Sequence, residues 1–353
     1  PVIGVTGTKG KTTTATLIAE ILKTAGKKVF TAGIGQKPVL NVLDEIGAEK
    51  DGVVVFELSS WRLSALGRES LGPHLGVVTN ILPDHLNYYG TMEKYVADKK
   101  YILSNQTKSD FAVLNYDDEI VRILADETES KKVFFTANAN IDSADDFVGV
   151  REGKIFFRKG EEEKNICDIN DVKLRGGHNL YNVLAAVSAV LTFGAVPEKV
   201  CEAVKNFKGI PHRLELVREL EGVKYINDTA ATVPDAAISG ISSFSEPIVL
   251  ISGGADKKLD FAKFAKVIAD KVQKVILLKG EATEKIKSDL QKISAEEKID
   301  GEFDSMEKAV IRAKNISSPG DVVLLSPGAA SFGLFLNEFD RGEKFREAVS
   351  KLE

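Results

Sequence analysis

Residues 7 to 12, Gly-Thr-Lys-Gly-Lys-Thr, put glycines, lysines and hydroxyls into one short turn. Glycine lets backbone N–H groups close around an anion, and a helix that opens behind such a turn adds the positive end of its dipole. That chemistry is phosphate binding. Gly7, Thr8, Lys9, Gly10, Lys11, Thr12 and Thr13 are therefore candidate nucleotide contacts, with Lys11 reaching the terminal phosphates and the Thr12 hydroxyl facing Mg²⁺. The spacing departs from the usual P-loop, since only Thr8 and Lys9 separate Gly7 from Gly10. A plain strand, turn and helix is the bland alternative.

Further along, Glu57 closes the apolar run Val53-Val-Val-Phe and is followed by Ser59 and Ser60. A carboxylate at a strand end is a candidate metal ligand; a surface glutamate capping the next helix is the alternative. His85 follows Thr79-Asn-Ile-Leu-Pro-Asp84 and is one of four histidines. Neutral imidazole is a common metal ligand, although a lone histidine is more often structural. Lys99 and Lys100 fall in a helical stretch, Met92 to Ser104, where adjacent lysines ordinarily mark a solvated face. His178, Asn179 and Asn182 lie at the start of a long apolar helix, placed either to bind a polar ligand or to cap it.

The elements that must position these residues are written in the apolar spacing. Val2, Ile3 and Val5 read as a buried strand, and Thr12 to Ala25 as a helix with Leu17, Ile18, Ile21 and Leu22 on one face, stopped by Gly26. Short strands are expected at Lys28 to Thr31, Gly52 to Leu58 and Leu75 to Thr79. Residues 109 to 174 read as strand, helix and short strands with polar turns, without evident chemistry. A linker is expected near Gly209-Ile-Pro-His212. Beyond it, strands at 224–227, 248–252, 274–278 and 322–325 alternate with amphipathic helices, the mark of an open, mainly parallel sheet. Polar residues again follow the strands, at Asn227-Asp228, Gly253 to Lys257 and Ser326. No Gly-x-Gly-x-x-Gly opens this half, which counts against a dehydrogenase.

Composition bounds the rest. A chain of 353 residues favours two domains. A net charge of -5 argues against wholesale nucleic-acid binding. No apolar run reaches membrane-spanning length, and two cysteines without metal-ligand spacing fit a reducing compartment. A cytoplasmic protein is expected.

Taken in order, these stretches resemble the ATP-dependent Mur ligases of peptidoglycan synthesis, and within them the branch that adds D-glutamate to UDP-N-acetylmuramoyl-L-alanine. The resemblance rests on Gly7-Thr-Lys-Gly-Lys-Thr-Thr, Glu57-Leu-Ser-Ser, Thr79-Asn-Ile-Leu-Pro-Asp-His-Leu, Tyr95-Val-Ala-Asp-Lys99 and Gly177-His-Asn-Leu-Tyr-Asn. It continues through His212-Arg-Leu-Glu, Asn227-Asp-Thr-Ala-Ala-Thr, Gly253-Gly-Ala-Asp-Lys and Leu325-Ser-Pro-Gly-Ala-Ala-Ser-Phe. It implies a P-loop-type α/β ATP-binding domain at 1–209 with a mainly parallel sheet, then a Rossmann-like α/β domain at 210–353 that binds the amino acid.

The resemblance also implies roles. Lys11 and Thr12 would hold the β and γ phosphates and one Mg²⁺, with Glu57 near that ion and His85 on a second. Lys99 stands where the family carries a carbamylated lysine, a change that turns an ammonium into a carboxylate analogue beside the metal. Asn182, Arg213 and Asp228 match ATP-binding positions. Ser59 is a further substrate-binding candidate, and Thr232, Lys257, Ser326 and Phe332 match positions that receive D-glutamate. Lys11, Lys99 and His85 are the implied catalytic set, in an acyl-phosphate mechanism gated by domain closure. A monomer without nucleic-acid or membrane partners is expected.

Two departures bear on this. Ala230 stands where many relatives have lysine. The family also carries a separate N-terminal domain that grips UDP; residues 1 to 353 hold no counterpart, so an upstream domain is expected. Rival functions are another ligase of the superfamily, adding a diamino acid, a dipeptide or glutamate to folate, and a nucleotide-binding partner protein that has lost ligation.

Overall fold

The computed structural model describes residues 1–34, 39–47, 51–174 and 176–353. They divide into two compact units, Pro1–Phe207 and Lys208–Glu353.

In the first unit the strands are β1 (Val2–Thr6), β2 (Val29–Ala32), β3 (Val53–Glu57), β4 (Leu75–Val78), β5 (Phe111–Asn115), β6 (Lys131–Phe135), β7 (Asp146–Arg151), β8 (Lys154–Lys159) and β9 (Glu162–Asp168). Its helices are α1 (Lys11–Thr24), α2 (Leu43–Gly47), α3 (Ser60–Arg68), α4 (Leu86–Tyr89), α5 (Met92–Ser104), α6 (Glu119–Ala125), α7 (Gly177–Thr192) and α8 (Pro197–Asn206). One sheet runs β2-β3-β1-β4-β5-β6-β7-β8-β9. It is parallel from β2 to β7, and β8 and β9 pair antiparallel to finish it.

β1 is central, which explains its nearly unbroken apolar run: it pairs with β3 on one side and β4 on the other, and Ile3 and Val5 are fully buried. α1 seals one face of the sheet with Leu17, Ile18, Ile21 and Leu22. Each such burial contributes about 1.5–3 kcal/mol, enough to fix the axis of the helix behind the turn. The polar stretch 131–168 joins the same sheet, because Phe134, Phe147 and Phe156 enter the core together with Leu114 and Val121.

The second unit holds β10 (Glu215–Leu220), β11 (Val223–Asn227), β12 (Ile248–Gly253), β13 (Val272–Leu278), β14 (Ile299–Phe303) and β15 (Val322–Leu325). Its helices are α9 (Pro234–Ile241), α10 (Ala262–Lys271), α11 (Glu281–Lys292), α12 (Met306–Ile316) and α13 (Glu338–Ser350). The strand order is β10-β11-β15-β12-β13-β14, parallel except for the edge strand β10. Alternation of side chains along each strand divides the interior in two. Leu250, Val275, Leu277 and Leu324 face one core, whereas Val249, Ile251, Ile276 and Leu325 face the other.

Candidate active site

Where β1 ends, the chain has to turn sharply between the neighbouring strand end and α7, and two glycines make this possible. A methyl group on Gly7 would come within 1.9 Å of Thr79 Oγ1, and one on Gly10 within 2.1 Å of Asn182 Oδ1. Gly10 also takes φ 85°, a left-handed conformation that side chains disfavour. The loop is held from the end of β4. Thr8 N donates to Asn80 O at 2.8 Å, Lys9 N to Asn80 Oδ1 at 2.9 Å, and Thr79 Oγ1 to Lys9 O at 2.7 Å.

The start of α1 is suited to an anion. It has no side-chain cap and no acidic residue in its first turn, so the N–H groups and the helix dipole are left for a ligand. Lys11 Nζ lies over the loop, donating to Gly7 O and Thr8 O, both at 3.0 Å. Thr12 is half-buried beside it, Thr13 is buried, and Lys9 is exposed with Nζ 3.5 Å from Asp84.

Lys99 overturns the expectation of a solvated lysine pair. It is 2% exposed, and its Nζ donates to Gly7 O at 2.8 Å. Burial, reinforced by the Lys11 charge, pulls its pKa down to about 7, against a smaller opposing pull from Asp84. Only Lys100 behaves as a surface residue, paired with Glu127. Tyr95, one turn before Lys99 on α5, was missed as a site residue. Its ring lies under Lys99 Nζ at 4.7 Å and its hydroxyl sits 3.1 Å from Thr8 Oγ1. The i, i+4 spacing is the signal that links them.

Glu57 is half-buried at the end of β3, directly opposite Val5 of β1. It does not cap α3; Ser59 does, accepting from Arg62 N. His85 is an exposed left-handed residue opening α4, its ring against Trp61 at 4.8 Å and Tyr95 at 6.2 Å. Among the described residues no group of three or more His, Cys, Asp and Glu converges on one point. A divalent ion held here would draw on the Thr12 hydroxyl and phosphate oxygens as well as on Glu57 or His85. This oxygen-rich set suits Mg²⁺.

Asn182 supports the loop from behind. It is 4% exposed, its amide donates to Asn179 Oδ1 at 2.9 Å, and its oxygen fills the space that Gly10 leaves.

In the second unit the candidate residues collect at the carboxyl ends of β11, β12 and β15. Asp228 and Ser326, expected on different ligands, bind each other: Ser326 Oγ donates to Asp228 Oδ2 at 2.8 Å. Ser326 is 0% exposed, so its hydroxyl is committed inside the fold. Burial pushes the Asp228 carboxyl up to about 7, while Ser326, the Leu214 N–H and the exposed Arg213 pull it back. Thr232 and Lys257 do come together, with Lys257 Nζ donating to Thr232 Oγ1 at 3.2 Å. Phe332 is largely exposed, in the loop after β15.

No helix among the described residues is long and apolar enough to cross a membrane. Residues 5–190 match the Mur ligase middle domain, and residues 212–328 match the Mur ligase glutamate ligase domain. The UDP-N-acetylmuramoylalanine--D-glutamate ligase of Roseiflexus sp. (strain RS-1) is 44% identical over 360 residues, covering 99% of this chain and 76% of that protein. The protein of the same name from Symbiobacterium thermophilum is 42% identical over 352 residues, covering 100% of this chain and 76% of its own. Among solved structures, the MurF ligase from Thermotoga maritima in complex with ADP gives a TM-score of 0.68 at 20% identity, covering 99% of this chain and 80% of that one. A UDP-N-acetylmuramoyl-L-alanyl-D-glutamate--2,6-diaminopimelate ligase gives 0.67 at 21%, covering 99% and 78%. At these identities the likeness is one of fold. With one family domain matched over more than half its length and relatives above 40% identity along nearly all of it, this chain belongs to the Mur ligase family.

Proposed function

We propose that this chain is the ATP-dependent ligase that joins D-glutamate to UDP-N-acetylmuramoyl-L-alanine in peptidoglycan synthesis. The observation that carries the proposal is an anion-ready helix start with a buried lysine against its loop, in a chain 44% identical to an enzyme of that name. The N–H groups opening α1 and the Lys11 ammonium bind the phosphates of ATP and draw charge from the γ-phosphoryl group as it moves to the acceptor carboxylate. The amine of D-glutamate then displaces phosphate from the acyl phosphate and leaves an amide. Thr12, Glu57, His85 and Lys99 are the residues that would hold two Mg²⁺ ions. Mg²⁺ bound there supplies Lewis-acid neutralisation of phosphoryl charge.

Lys99 serves this arrangement as a carbamate. Its lowered pKa leaves a substantial neutral fraction near pH 7, and that amine adds to the carbon of CO2 with loss of one proton. The product is an anion where the loop otherwise faces two lysines. On the amino-acid side, the Lys257 ammonium with Thr232 offers a cation and a hydroxyl to one carboxylate, and the exposed Phe332 is assigned to the same ligand, whereas the Ser326 hydroxyl is spent on Asp228. Asn182 is assigned to ATP, by shaping the loop.

A phosphate-release assay with UDP-N-acetylmuramoyl-L-alanine, ATP, Mg²⁺ and a panel of amino acids tests the proposal. D-glutamate should be the amino acid that drives release. Release driven by a diamino acid, by a dipeptide or by none of the panel would reject it.

A further inference from the structure

Arg341, on α13, is 0% exposed, yet none of its hydrogen-bond acceptors is a carboxylate. Nε donates to Thr229 Oγ1 at 2.9 Å, Nη2 to Thr229 O at 3.0 Å, and Nη1 to Ala329 O at 3.1 Å. Glu338 favours the charge only through space, and Asp228 is committed to Ser326. Burial pulls the guanidinium down to about 10, so it stays charged at neutral pH. A desolvated cation without a hydrogen-bonded counter-ion is costly, and an apolar side chain of similar size would fill the volume at lower cost.

The partners of Arg341 suggest why a cation stands there. Thr229 opens the loop after β11, and Ala329 lies in the loop after β15. The latter loop is bridged to the loop after β12, since Ala255 N donates to Ala330 O at 2.9 Å and Ala330 N to Ala255 O at 3.1 Å. One rigid fork therefore sets the spacing of the strand-end loops whose farther residues are Thr232, Lys257 and Phe332. The groups in hydrogen-bond contact with it are all neutral dipoles, Glu338 acts on it only through space, and in a low-dielectric interior such a charge is felt beyond contact distance.

We propose that Arg341 is the positioning residue of the amino-acid subsite: it holds the loops after β11 and β15 in register and biases the crevice they border toward a dicarboxylate. The inference rests on the D-glutamate reading above. Steady-state kinetics on R341M, R341K and T229V, with D-glutamate and ATP varied separately and folding followed by thermal unfolding, tests it. R341M should raise KM for D-glutamate about tenfold or more while KM for ATP moves less than about twofold. R341K keeps the charge but not the fork and should fall between wild type and R341M. T229V removes one acceptor and should raise KM for D-glutamate by about threefold at nearly unchanged Tm.

A folded R341M with unchanged KM for D-glutamate overturns the proposal, and so do KM values for both substrates that rise in parallel. If R341M does not fold, the other two variants decide: unchanged KM for D-glutamate in both also overturns it. An unaltered chain saturated by a different amino acid overturns the D-glutamate reading itself, which the panel assay detects separately.

Discussion

Lys99 gives up its proton more readily than a surface lysine does. Desolvation and the neighbouring Lys11 both disfavour its ammonium form, while the Gly7 carbonyl fixes where the nitrogen sits. If the working form is a carbamate, Lys99→Ala should lose activity by about two orders of magnitude or more, the scale typical of removing one electrostatic group from a catalytic site. Short carboxylates such as acetate should restore part of it, and stripping CO2 should slow the unaltered protein. Activity of the alanine variant that is close to normal and indifferent to acetate would dispose of the carbamate. The stripe Tyr95, Lys99, Ile102, Leu103 is buried at helical spacing. The reading of Lys99 and Lys100 as a solvated pair passed over this signal: Lys99 occupies an apolar position of its helix, a better guide than its adjacency to Lys100.

Asp228 gives a second residue-scale test, through pH. Its folded pKa is raised from 3.8 to about 7 by burial, so between these values the native state holds a proton that the unfolded chain has released. The sign follows: its contribution to stability is full below about pH 4 and is lost as pH rises to about 7, amounting to a few kcal/mol at most. Denaturant unfolding from pH 4 to 8 should show this decline in the wild type and a flatter profile in Asp228→Asn. Parallel profiles for the two would refute it. The tie from Asp228 to Ser326 could not be foreseen, because the two are distant in sequence and both looked like ligand contacts.

At the scale of elements, the site depends on how β1 hands over to α1. The strand and helix were readable from apolar spacing, and so was the turn, because glycines and lysines fall between them. What lies behind the turn was not readable. α7 comes from far along the chain, and its Asn182 oxygen occupies the space that a side chain on Gly10 would need. Gly10→Ala therefore meets two penalties, a left-handed backbone and an overlap, together about 2–3 kcal/mol. Only the overlap depends on Asn182. In an Asn182→Ala background the same substitution should cost about 1 kcal/mol less, a coupling that a double-mutant cycle by denaturant unfolding resolves. Strict additivity would mean that the loop does not lean on α7.

At the scale of the molecule, the order of strands is what the sequence could not reveal. β1 lies between β3 and β4, and β15 lies between β11 and β12; periodicity marks a strand but not its neighbour. These crossovers bring residues from separate stretches to the carboxyl edge of each sheet, where parallel α/β folds place ligands. Each unit closes its own interior: Phe134 and Phe147 pack with Leu114 in the first, whereas Leu250 packs with Phe264 and Ile251 with Phe345 on the two faces of the second. A unit with its own sheet and its own core should fold alone. Residues 208–353 expressed by themselves are expected to unfold in one cooperative transition, with near-ultraviolet circular dichroism reporting packed aromatic side chains. In that fragment Asp228→Asn should flatten the pH profile as it does in the whole chain, since Ser326, Leu214 and Arg213 all lie within it. A fragment that binds hydrophobic dye and melts without cooperativity would show that the second core needs the first.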